Sequence, residues 1–214
     1  MNNTTPKKPL LRGHSHQSMF FISLGALIML MVLTTTRLEF VAILVYAFGA
    51  LSMFGISALY HRVNWSVEKK ALFRRFDHSA IYLMIAGTFT PVAILGLSNP
   101  SMHVLLWTIW MVAILGIIKS FWFANSPNFL NVIIYLGAGV VIFPYVGELF
   151  DGIGLVPIIL MASGGIVYAI GAIIYGIKRP NPSPIYFGYH EIFHILVIVA
   201  AILHFIMVYL ILEK

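Results

Sequence analysis

Gly188-Tyr-His190-Glu-Ile-Phe-His194-Ile-Leu-Val-Ile-Val-Ala-Ala-Ile-Leu-His204-Phe-Ile-Met-Val-Tyr-Leu-Ile211 is long and apolar enough to cross a bilayer. A helix needs about 20 mainly apolar residues to span roughly 30 Å of hydrocarbon. Similar runs recur near 18–36, 39–60, 77–97, 102–123, 129–149 and 153–177, which gives seven spans. Each must be helical, because an unpaired backbone group is too costly in lipid. Composition agrees. The 214 residues are 60% hydrophobic and only 9% charged, against about a quarter charged in a soluble domain. The expected fold is an all-α seven-helix membrane bundle over 17–214, with a disordered basic tail over 1–16. Lys7, Lys8 and Arg12 before the first apolar run imitate a signal peptide. No small-residue cleavage site follows before Arg37, so the run reads as a retained helix.

Charge sets the orientation. Eleven of the 13 Lys and Arg fall in the tail and in alternate connections, and only Arg37 and Lys214 fall on the other side. By the positive-inside rule the N-terminus is cytoplasmic and the C-terminus outside, in the plasma membrane. The same distribution explains the net charge of +6 better than nucleic-acid binding does. Pro91, Pro144 and Pro157 read as kinks or helix starts, with Thr88 and Thr90 placed to satisfy the carbonyl that Pro91 frees. The glycine pairs Gly137/Gly139 and Gly164/Gly165 read as close-packing positions.

Ionisable residues in or at the ends of spans are functional candidates. His61, Asp77, His190 and His194 all fall at the cytoplasmic ends of their expected helices. His190 and His194, four residues apart, share one helix face and can reach one ion. There are no cysteines, so any metal must take His, Asp or Glu. Two histidines from one helix, a third from a neighbour and a water make a tetrahedral zinc site with an open position. The third ligand cannot come from further along the same helix. His204 and Glu213 lie about 15 Å and roughly 28 Å beyond His194. His61 is the best candidate. His190-Glu191-Ile-Phe-His194 also fits the HExxH metalloprotease pattern, with no suitable downstream ligand; the role of Glu191 stays open. His14, His16 and His103 read as ordinary polar positions, and His204 as a residue bonded to another helix. His78 adjoins Asp77 but points about 100° away.

The stretches Ser57-Ala-Leu-Tyr-His61-Arg62, Arg75-Phe-Asp77-His78-Ser-Ala-Ile-Tyr82, Ala86-Gly-Thr-Phe-Thr-Pro91 and His190-Glu-Ile-Phe-His194 with His204-Phe205 occur in this order. In them the chain resembles the hemolysin III family, the bacterial branch of the progestin and adiponectin receptor superfamily, itself similar to alkaline ceramidases. The resemblance implies that His61, His190 and His194 ligate zinc directly. It also implies that Asp77 holds the reacting water or approaches the metal, and that Ser57 sits beside the site. One stretch departs from the pattern. Where the family has an acidic residue and an Asn-containing motif ending in His-Gly, this chain has Arg12-Gly-His-Ser-His-Gln-Ser18.

The leading expectation is a zinc-dependent lipid amide hydrolase acting on a ceramide-like or fatty-acyl membrane lipid, in membrane lipid homeostasis. Asp77 would be the catalytic general base and then acid, and Ser57 would orient an imidazole or support the oxyanion. The rivals are a non-enzymatic lipid sensor or regulator with a structural zinc, a pore-forming cytolysin and a membrane protease. Oligomeric state stays open, a homo-oligomer included.

Overall fold

The computed structural model describes residues 9–123 and 126–214. Among the described residues eight α-helices follow one another: α1 (His14–Leu33), α2 (Arg37–Arg62), α3 (Val67–Gly96), α4 (Asn99–Trp122), α5 (Asn128–Gly139), α6 (Val146–Ile153), α7 (Leu155–Ile177) and α8 (Tyr189–Leu212). A 3₁₀ segment, Val140–Tyr145, joins α5 to α6, so that Phe129–Ile153 acts as one span. Among the described residues seven helical stretches are long and apolar enough to cross a membrane, as the hydropathy pattern requires. Much of the outward surface is apolar, with Trp107, Val32 and Phe143 exposed, which suits a face against lipid.

Helix ends explain where the sequence expectations miss. The expected third span opened at Asp77, but α3 starts ten residues earlier, where the Ser66 hydroxyl accepts from the Lys69 amide at 3.4 Å. Hydropathy marks where a helix enters hydrocarbon, not where it begins. Lys69, Lys70, Arg74 and Arg75 therefore lie on helix, and Asp77 sits nearly three turns inside it. The disordered tail expected over 1–16 is likewise corrected. Residues 1–8 lie outside the described residues, but 9–16 are ordered, with α1 beginning at His14.

Pro144 lies in the 3₁₀ segment, Pro157 opens α7, and Pro91 lies within a continuous α3. Thr88 and Thr90 bond the Met84 and Ala86 carbonyls, each at 2.8 Å. Neither reaches the Gly87 carbonyl that Pro91 leaves without its usual donor, because each hydroxyl folds back onto its own preceding turn. Of the glycine pairs, only Gly164 packs closely: an added Cβ would lie 2.4 Å from the His204 ring. Gly137, Gly139 and Gly165 meet open space, since a pair of glycines in one helix need not face the same neighbour.

The broadest helix packing is α2 on α3 and α7 on α8. The first depends on Gly49, where a Cβ would stand 2.6 Å from the Leu83 carbonyl oxygen. That approach keeps α2 and α3 together along the length that carries Ser57, His61 and Asp77. Gly49→Ala should force the helices apart, at a cost of about 1–3 kcal/mol. Thermal unfolding in detergent should show the lower Tm.

Candidate metal centre

His61 stands in the last turn of α2, and His190 and His194 in the first two turns of α8. Because α1 and α3 both touch α8, and α2 lies against both α1 and α3, these helix ends meet at one end of the bundle. It is also the end where the chain's Lys and Arg concentrate. One ligand-capable atom from each of the three histidines lies within 4.8 Å of the others. His61 and His194 are buried and His190 is half-buried. The Nε2 atoms of His61 and His190 are 3.2 Å apart. Two nitrogens bound tetrahedrally at about 2.0–2.1 Å to one ion stand about 3.3 Å from each other, so this pair already has the spacing of co-ligands. His194 Nδ1 is buried and has no hydrogen-bond partner among the described residues. A buried polar atom in that state needs a partner that the protein does not supply. The group can hold a metal ion, and its all-imidazole donor set suits a borderline-soft ion such as zinc.

Asp77 comes within 4.0 Å of His61 Nε2 through Oδ2. The Ser57 hydroxyl, buried one turn before His61, hydrogen-bonds to the Asp77 carboxylate. Ser57 therefore braces the carboxylate. A cavity of about 30 Å³ opens here, lined by Ser57, Asp77, His78, Tyr135, Tyr175 and Phe193 together with His190 and His194. That is room for about one water. His78, expected to point away from Asp77, still reaches this cavity, and its Nδ1 lies 3.4 Å from the Tyr135 hydroxyl. Nothing in the sequence singled out Tyr135 or Tyr175, since aromatic residues are common in every span. His204 bonds the Met161 carbonyl at 3.1 Å, joining α8 to α7 as expected and staying apart from the metal centre.

The residues before α1 close the site from the basic end. The Leu10 and Leu11 amides bond the carbonyls of Ile185 and Tyr186 at 2.9 and 3.3 Å. Arg12 donates through Nε to Glu191 Oε1, while Glu191 Oε2 accepts from the Gly188 amide at 2.8 Å. Both oxygens of Glu191 are thus engaged in capping α8 and holding Arg12. This removes the free general base that a protease reading of HExxH requires. Gly13, with φ +80°, lies so close to α2 that a Cβ would be 2.6 Å from His61 Cβ, and only glycine meets both demands. His16 corrects its reading as an ordinary polar position. It is fully buried and stacks on His194, with ring centroids 3.8 Å apart and planes at 10°, and it meets Phe54 edge-on. Its one sequence signal is position: with Met19 and Ser23, which lie along the buried side of α1, it keeps helical spacing.

Arg12→Ala should leave a buried carboxylate without its cation, a loss on the order of 3 kcal/mol. The freed strap should also expose the histidines. Metal release to an added chelator, followed over time, should be at least about tenfold faster than in wild type, as that free-energy loss allows.

A model of the family described as haemolysin-III related matches residues 4–205. The chain is 32% identical to Hemolysin-3 of Bacillus cereus over 172 residues, covering 79% of this chain and 78% of that protein. It is 28% identical to the Hemolysin-3 homolog of Bacillus subtilis (strain 168), covering 82% and 83%. It is 30% identical to the adiponectin receptor protein of Drosophila melanogaster over 73% of this chain and 39% of that protein. With a family match over nearly its whole length, seven apolar spans and the histidine cluster at one end, this multi-pass membrane protein belongs to the haemolysin-III-related family, kin to the progestin and adiponectin receptors.

Proposed function

We propose that this protein is a zinc-dependent hydrolase of amide bonds in membrane lipids, of the ceramide-like or other N-acyl kind. The supporting observation is that three imidazoles converge beside a braced carboxylate, with space for about one water between that carboxylate and the aromatic wall. His61, His190 and His194 are the metal ligands in this reading. Zinc held by them supplies Lewis acidity to a substrate carbonyl and to the attacking water. Asp77 takes the proton from that water and later gives it to the leaving amine. Ser57 holds the carboxylate toward the cavity through its hydrogen bond. His16, by stacking on His194, keeps that ring from rotating.

The closure of the site favours a second reading. The strap, the Arg12–Glu191 pair and the histidines tie α1, α2 and α8 together, and a lipid amide has to displace side chains to reach Asp77. A metal acting only as a clamp in a lipid-responsive regulator fits the same contacts. Purified protein in detergent, given a short-chain ceramide and other N-acyl lipids, separates the two. The hydrolase reading expects free fatty acid and amine in equal amounts, abolished by chelation and restored by zinc. A protein that loses thermal stability on chelation but releases no acid from any N-acyl lipid is a regulator.

From the distribution of Lys and Arg we infer that the basic end, with its histidine cluster, faces the cytoplasm. Alkaline phosphatase fused after Lys214 should therefore be active in cells, and a fluorescent protein at the same point should stay dark.

A further inference from the structure

We propose that the mouth of a shallow basic cleft between α3, α4 and α5, too narrow inside to admit a water, is a binding site for a phosphate group, and that the headgroup of an anionic phospholipid lies against it. Arg74, Arg75 and His78 of α3, Lys119 and Ser120 of α4, and Asn131 of α5 line it. The site does not depend on the hydrolase reading.

Cations at this end of the bundle are expected from membrane orientation alone, but Arg74, Arg75 and Lys119 differ from most of the others in burial. Lys69 and Lys70, on the same helix, are exposed to solvent. Arg74, Arg75 and Lys119 are half-buried and converge from two helices on one cleft. No carboxylate is among the described residues that line it. Asp77, the nearest acid along the chain, faces the other cavity and is bonded to Ser57. Arg75 Nε is buried and meets no acceptor among the described residues, and Lys119 donates to the neutral Asn131. Partly desolvated cations such as Arg75 and Lys119 are stable side by side only when an anion or several acceptors compensate them. A phosphate offers both, with oxygens that match the planar fork of arginine and the point charge of lysine.

Level and surroundings favour a lipid over a free ion. Lys119 is in the last turn of α4, beside Trp122 and Phe123, which are 74% and 65% exposed. An exposed Trp at a helix end marks the headgroup layer. Basic pockets between spans at that level are suited to anionic headgroups. His78 is common to this cleft and to the cavity that holds Asp77. An occupant would therefore touch a wall of the metal site.

Native mass spectrometry of the full chain, titrated with phosphatidylglycerol or phosphatidylcholine of matched chains, tests the site. Wild type should bind one phosphatidylglycerol in preference to phosphatidylcholine. Arg75→Gln and Lys119→Gln should each weaken that binding about fivefold, as expected for loss of one interfacial cation. Lys69→Gln/Lys70→Gln, which removes more charge outside the cleft, should leave it unchanged. If inorganic phosphate displaces the lipid from wild type and raises its Tm, but not that of Lys119→Gln, the phosphate site stands and a free ion shares it. Equal losses in the cleft and control variants, or no preference between the two lipids, would overturn the proposal. Should Arg75→Gln not fold, Lys119→Gln carries the test alone, since it lies at a helix end.

Discussion

Asp77→Asn should retain its metal and lose hydrolysis by about 10²–10⁴-fold, the usual worth of a positioned general acid–base. Asparagine keeps the shape and can still meet Ser57, but it cannot accept a proton and return it. The three histidines that make up the metal-capable cluster are untouched by the change. The measurement pairs metal content with acid release from an N-acyl lipid on the same preparation. Unchanged release would take Asp77 out of the chemistry. Loss of metal together with activity would make its role one of holding His61, which lies 4.0 Å away.

Replacing His190 and His194 by alanine should lower metal content from about one ion per chain to none. Only His61 would remain of the cluster, and one imidazole cannot hold an ion against a chelator. The Tm should fall with it, because an ion held by His61, His190 and His194 would link α2 to α8. His204→Ala is the informative control. It deletes a histidine from the same helix and breaks its bond to the Met161 carbonyl, so some stability should be lost, but the metal should stay. Equal metal loss in both variants would mean that general disruption of α8 empties the site, not loss of ligands.

The spans were legible because lipid demands a long apolar run and little else satisfies that demand. Their polar ends were not. α3 runs ten residues beyond its apolar part, where a serine cap and charged helix-formers extend it into the headgroups. The same effect hid His16. A histidine amid Arg12-Gly-His-Ser reads as solvated tail, and only the fold of the strap onto α2 and α8 buries it. Within the site, His190 and His194 follow from a four-residue spacing on one helix, which needs no tertiary information. His61 joins them in sequence only through its matching depth at a helix end, and the 3.2 Å approach to His190 agrees with that. Glu191 was ambiguous for a different reason. Its pattern fits a protease base, but its oxygens are taken up by a backbone amide and by Arg12, a residue 179 positions away in the chain. No local pattern reports such a partner. Of the glycine pairs only Gly164 packs closely, because sequence gives the helix a glycine belongs to and not the neighbour it faces.

X-ray absorption at the zinc edge, on wild-type protein purified without added metal, examines the histidine cluster most directly. Three imidazoles and one further light ligand at about 2.0–2.1 Å, in one ion per chain, are the predicted result. Protein that is folded and monodisperse but carries no metal, or an ion whose shell contains no imidazole, would contradict it.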